Sequence, residues 1–210
     1  MLQKHFGQEI NGSSIMALFK LINNKVIWQR GGSLIFGGDY VLAPDTFPRI
    51  VGLDADDTTS RLKELYDVSR VHFVPRPFQR DHLDLDMLLI PEKDVWVVDP
   101  LYRSMNSKAV AQIAKMEHLE VFETARTGSS ELPTNSIVLT NAHGEIFVLT
   151  GQGRTHQPVF EELSDKFGIT VIQVPFQRTQ VSQGSVRCKT NFIPPGYDIK
   201  TLGVRLQELS

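Results

Sequence analysis

A chain of 210 residues, 41% hydrophobic and 22% charged, has the make-up of a globular protein that can bury a core, and one domain over 1–210 is the expectation. A formal charge of −2, with no basic patch or polybasic tail, argues against a nucleic-acid or anionic-membrane partner. One cysteine excludes an internal disulfide, no apolar run nears the roughly 18 residues that span a bilayer, and the start lacks a signal pattern, so the expected setting is cytoplasmic.

Residues 1–28 offer an apolar, helix-like SSIMALFKLI and a strand-like NKVIWQ. From Ser33 the chain reads SLIFGGDYVLAP, two short apolar strands about a turn at Gly37, Gly38 and Asp39. The DADD run at 54–57 has the character of a solvated loop, and TTSRLKELYDV that of a helix starting at Thr58 with threonine caps. VHFVP from Val71 is a strand. The same order then returns. DMLLIPEKDVWVVDP from Asp86 is a hairpin turning at 91–94, MNSKAVAQIAKM is a helix capped by Asn106 or Ser107, and LEVFE from Leu119 is a strand. A third pass follows. SIVLTNAHGEIFVLTG from Ser136 turns at 141–144, HQPVFEELSDKFG is a helix ending on Gly168 as C-cap, and ITVIQVP from Ile169 is a strand. GSVRC opens a fourth pass at residue 185, and NFIPPGYDIKTLGVRLQELS reads as a loop and a terminal helix. Trp28 and Trp96 lie in apolar strands and are expected in the core.

The hairpins begin at 33, 86, 136 and 185, an internal period of about 50 residues. Units at such a period bury apolar faces against their neighbours in a ring or array. Rotation from unit to unit would bring the hairpin entries together near one axis. Those entries carry Arg30 and Ser33, then His82 and Asp84, then Asn135, then Arg187 and Cys188. Polar chemistry at equivalent points of each repeat marks a central site.

Cys188 stands in a glycine-containing turn between Arg187 and Lys189, where a sulfur can be reached and positive charge favours the thiolate. Attack by cysteine on an electrophilic carbon also needs a proton donor for the leaving group, which an imidazole supplies. His82 and Asp84 are two apart, so on a strand they share a face. The other histidines, His5, His72, His118, His143 and His156, read as surface or strand positions. GQGR at 151–154 lacks the context of a phosphate loop.

The ordered set RGGSLIFGGDYVLA, HLDLDMLLI and SQGSVRCKT resembles the penteins, the guanidino-group-modifying superfamily. That group includes arginine deiminase, agmatine deiminase, dimethylargininase and the arginine:glycine amidinotransferases. The resemblance implies an α/β fold of ββαβ units about a pseudo-five-fold axis, an α/β propeller. Four hairpin starts are visible and the opening unit is incomplete, a gap that a second copy could cover in a homodimer. The resemblance also implies that Cys188 attacks a guanidinium carbon and that His82 protonates the departing amine and then activates water. Asp84 would hold guanidinium nitrogens, with Arg30, Ser33, Asn135 and Arg187 as substrate-binding residues. Arg30 stands where the deiminases carry an acidic residue, so it points away, binds a substrate carboxylate or signals a changed substrate. No metal and no organic cofactor are required. The implied activity is deiminase-type hydrolysis of a small guanidino compound or peptidyl arginine; the alternatives are an inactive binding module on the same fold and an amidinotransferase.

Overall fold

The computed structural model describes residues 32–76, 82–125, 131–152, 157–175 and 187, all within one compact unit spanning 30–190. In the first repeat, β1 (Ile35–Phe36) and β2 (Tyr40–Pro44) pair antiparallel, with Ile35 opposite Leu42. Gly38 takes the left-handed backbone that the tight turn needs, at φ 78°. Two helices follow, α1 (Phe47–Val51) and α2 (Ala55–Tyr66), and the chain returns as β3 (Arg70–Val74), parallel to β2.

The acidic run at 54–57 is not a solvated loop. Asp54 is the N-cap of α2, accepting from the backbone N of Asp57 at 2.8 Å, and Asp56 and Asp57 fill the first turn. The unpaired amides and positive end of a helix favour carboxylates there. The helix therefore starts at Ala55, and Thr58 is buried inside it with its hydroxyl donating to the Asp54 carbonyl at 2.6 Å.

In the second repeat, β4 (Met87–Ile90) and β5 (Val95–Val98) pair antiparallel across a 3-10 turn (Pro91–Lys93) that ends on left-handed Asp94. A short helix absent from the sequence reading comes next, α3 (Pro100–Met105). Asp99 caps it, accepting from the backbone N of Leu101 and Tyr102 at 2.8 and 3.2 Å, and proline sits in its first turn. Asn106 then precedes α4 (Ser107–Met116), and β6 (Glu120–Glu123) runs parallel to β5.

The third repeat pairs β7 (Ile137–Thr140) with β8 (Ile146–Gly151) about a turn where the Asn141 side chain accepts from the backbone N of His143 and Glu145. Helix α5 (Pro158–Phe167) ends on Gly168 at φ 67°, as expected, and β9 (Thr170–Val174) runs parallel to β8. Strand–turn–strand–helix–strand thus occurs three times among the described residues, each time as a three-stranded mixed sheet with the hairpin's second strand in the middle. The class is mixed α/β.

The middle sheet explains why MLLI and VWVV are apolar at every position. Met87, Leu89, Trp96 and Val98 join one cluster with Ile35, Tyr40 and Leu42 of the first repeat and Val110 and Ile113 of α4. Leu88, Ile90, Val95 and Val97 join another with Ile146 and Val148 of the third repeat and Val159, Phe160 and Leu163 of α5. Alternate side chains leave a strand on opposite faces, so a sheet buried on both sides has no place for the usual polar alternation. Trp96 is fully buried, as expected; Trp28 lies outside the described residues. No helix among the described residues is long and apolar enough to cross a membrane.

Candidate active site

The HLDLD segment departs from the strand expected of it. Leu83–Leu85 is a 3-10 turn, closed by the Asp86 backbone N donating to the Leu83 carbonyl at 2.9 Å, with His82 extended just before it. The turn drops Asp84 into the interior, where its side chain is 1% exposed, while the His82 side chain remains 45% exposed. His82 and Asp84 still face each other, with Nδ1 3.8 Å from Oδ1, too long for a hydrogen bond.

Around Asp84, itself in the entry of the second repeat, the entries of the first and third repeats meet Arg187. From the first, the Gly32 carbonyl accepts from the Asp84 backbone N at 3.1 Å. A Cβ on Gly32 would overlap the Asp84 carboxylate, so glycine is needed there for close approach. From the third, Asn135 Nδ2 donates to Asp84 Oδ2 at 2.6 Å. Arg187 Nε lies 3.6 Å from the same oxygen, while Nη2 donates to the Leu34 carbonyl at 3.2 Å and the backbone N to the Asn135 carbonyl at 3.3 Å. Arg187 thereby touches the first, second and third repeats at once.

The electrostatics follow from this packing. Burial pushes the Asp84 carboxyl above the usual carboxylate range, and the Arg187 charge, the His82 imidazole and the Asn135 bond only partly offset it. Oδ1, the oxygen facing His82, has no hydrogen-bond partner among the described residues. A buried carboxylate oxygen left in that state is costly until a donor reaches it. The arrangement therefore suits a cationic N–H group beside a partly exposed imidazole. Among the described residues no three His, Cys, Asp or Glu side chains gather as a metal ligand set.

Of the residues singled out from the sequence, Asp84, His82, Asn135 and Arg187 come together. Ser33 is buried between Gly32 and Leu34, both of which bond into this cluster. Cys188 and Arg30 lie outside the described residues. The sequence reading missed the contribution of Gly32, and the signal was the Gly-Gly pair itself, which no left-handed turn at Gly32 accounts for.

No family model and no curated protein sequence matches the chain. Solved structures do match. An agmatine deiminase of C. jejuni superposes with a TM-score of 0.59 at 16% identity, over 76% of this chain and 54% of that one. The same enzyme with substrate bound gives 0.61 at 14%, over 89% of this chain and 64% of its own. The N-terminal domain of ArgZ covalently bound to a reaction intermediate gives 0.53 at 13%, over 75% of this chain and 53% of its own. The fold is that of the penteins. This chain spans between about half and two thirds of the length of these penteins. In this chain the repeats bring a histidine, a buried aspartate, an asparagine and an arginine to one place.

Proposed function

We propose that the protein is a cysteine-dependent guanidino hydrolase of the deiminase type, with its repeats set about a common axis as an α/β propeller. The observation that carries the reading is the buried Oδ1 of Asp84, without a hydrogen-bond partner among the described residues and with the His82 imidazole 3.8 Å away. A guanidinium offers what that oxygen lacks, a positive charge with N–H donors in a plane. The fold shared with agmatine deiminase and with ArgZ, an arginine dihydrolase, supports the same chemistry.

In this reading Asp84 takes one guanidinium N–H and steadies the planar group. The Cys188 thiolate attacks the guanidinium carbon, forming a C–S bond. His82 gives a proton to one nitrogen, the C–N bond breaks, and ammonia leaves. His82, now neutral, takes a proton from water as the water oxygen bonds to the same carbon. The C–S bond then breaks, returning the electron pair to sulfur and leaving a ureido product. Water as second nucleophile favours hydrolysis over amidino transfer, which requires an acceptor pocket as well. Ser33 and Arg30 would contact the remainder of the substrate. The substrate class is a small guanidino compound or peptidyl arginine, and the protein acts in the cytoplasm.

One observation favours a second reading, a guanidinium-binding module without turnover: Arg187 already places a cation 3.6 Å from Asp84 Oδ2. Ammonia release from agmatine, arginine and methylated arginines, by native protein and Cys188→Ala, separates the two. Release by the native protein alone is the expected result. Release by neither, with agmatine bound to both, establishes the binding module.

A further inference from the structure

Asp84 presents its two oxygens to different surroundings. Oδ2 accepts from Asn135 Nδ2 at 2.6 Å and has Arg187 Nε at 3.6 Å. Oδ1 lies beside Gly32 and 3.8 Å from the His82 ring, with no hydrogen-bond partner among the described residues. Asn135 is fully buried, and it can donate here because an ionised carboxylate is acceptor-only. Arg187 is anchored on both sides of this contact, through the Leu34 carbonyl and through its own backbone N to Asn135. Neither side chain is free to turn toward a ligand without abandoning those bonds.

We infer that Asn135 and Arg187 are positioning residues, not substrate ligands: they hold Oδ2 of Asp84 from outside and so leave Oδ1, on the His82 side, as the single oxygen that receives a ligand cation. The inference rests on the guanidino reading for the identity of that cation, but not for the arrangement about the carboxylate. It makes Asp84 a one-oxygen acceptor, so a guanidinium binds through one N–H and turns its other nitrogens toward His82. The Asn135 bond and the Arg187 guanidinium at Oδ2 compete with a fork-to-fork pair through both oxygens and favour the single contact at Oδ1.

Such residues act by setting when Asp84 is ionised and where its charge points. Among the described residues, the charged groups facing Asp84 are Arg187 and His82, and the neutral side-chain donor is Asn135. Removing either positioning group leaves the carboxyl buried while withdrawing what favours its charged form, so its titration moves up. A purely structural role would lower stability and leave that titration in place.

The test is carboxyl-carbon NMR of Asp84 against pH in the full chain, with agmatine affinity measured alongside. Arg187→Gln and Asn135→Ser are expected to raise the Asp84 midpoint and to weaken agmatine binding about ten-fold near neutral pH. Arg187→Lys, which keeps the charge, is expected to restore most of the midpoint. Should Arg187→Gln not fold, Asn135→Ser decides alone. A midpoint unchanged in the variants, or displaced as far by lysine as by glutamine, overturns the inference. Native protein that does not bind agmatine overturns the guanidino reading instead, and the carboxyl titration still judges the arrangement.

Discussion

Two carboxylates are buried in this molecule beside a histidine and an arginine, and they have opposite surroundings. Glu117, 3% exposed at the end of α4, has both oxygens engaged: Oε1 with His72 Nε2 at 2.6 Å and Oε2 with Arg70 Nη2 at 3.1 Å. It ties β3 of the first repeat to the helix of the second. Asp84, 1% exposed, has one oxygen held and the other without a partner. The first is a closed ion-pair cluster. The second is an incomplete one whose missing donor a ligand can supply. Residue types alone do not separate them; the count of satisfied oxygens does.

The largest effect expected from this contrast is on binding. Asp84→Asn keeps the shape and removes the charge, so agmatine affinity, read by calorimetry, should fall at least about 100-fold while the melting temperature holds or rises. Glu117→Ala should do the reverse. Leaving His72 and Arg70 without their carboxylate costs about 3 kcal/mol of stability in denaturant unfolding, with agmatine binding preserved in the folded fraction. Gly32→Ala sits between these, because the added methyl overlaps the Asp84 carboxylate: about 1–3 kcal/mol of stability and a clear loss of affinity together.

The smallest effect is a pH dependence with a definite sign. Asp84 has its carboxyl raised by burial, so the folded state holds the proton more tightly than the unfolded chain does. The stability this group contributes is present below the ordinary carboxylate range near about 4 and is lost as pH rises through the raised folded value. Agmatine, which needs the ionised form, should bind more weakly as pH falls through the same value. Stability and affinity measured across that window should therefore run in opposite directions, and both slopes should flatten in Asp84→Asn.

Much of this was legible in the sequence. The three hairpins, the recurrence of about 50 residues and the Gly168 helix end are written in turn residues and apolar runs, whose chemistry is local. What the sequence concealed depended on contacts between repeats. HLDLD alternates like a strand, yet the Gly32 carbonyl and the Asp86–Leu83 bond draw it into a 3-10 turn. His72 reads as an ordinary strand residue until Glu117, far along the chain, is seen against it. Asp54 is a helix cap that a charge-based reading takes for loop, and Asp99, read as the end of a hairpin, caps a helix that reading lacked. At the site, the residue types were evident and the contacts among them were not, because the donors of Asn135 and Arg187 reach Asp84 and the Leu34 carbonyl across repeats, a pairing that no local pattern encodes.

In the proposed reaction Asp84 holds a guanidinium next to the thiol that attacks it. Cys188 is the sole cysteine of the chain, so its alkylation rate reports that thiol without ambiguity. Measured at neutral pH with and without agmatine, the rate should change on adding agmatine to the native protein and stay unchanged in Asp84→Asn. A rate that agmatine leaves unaltered in the native protein, or alters equally in both, contradicts it.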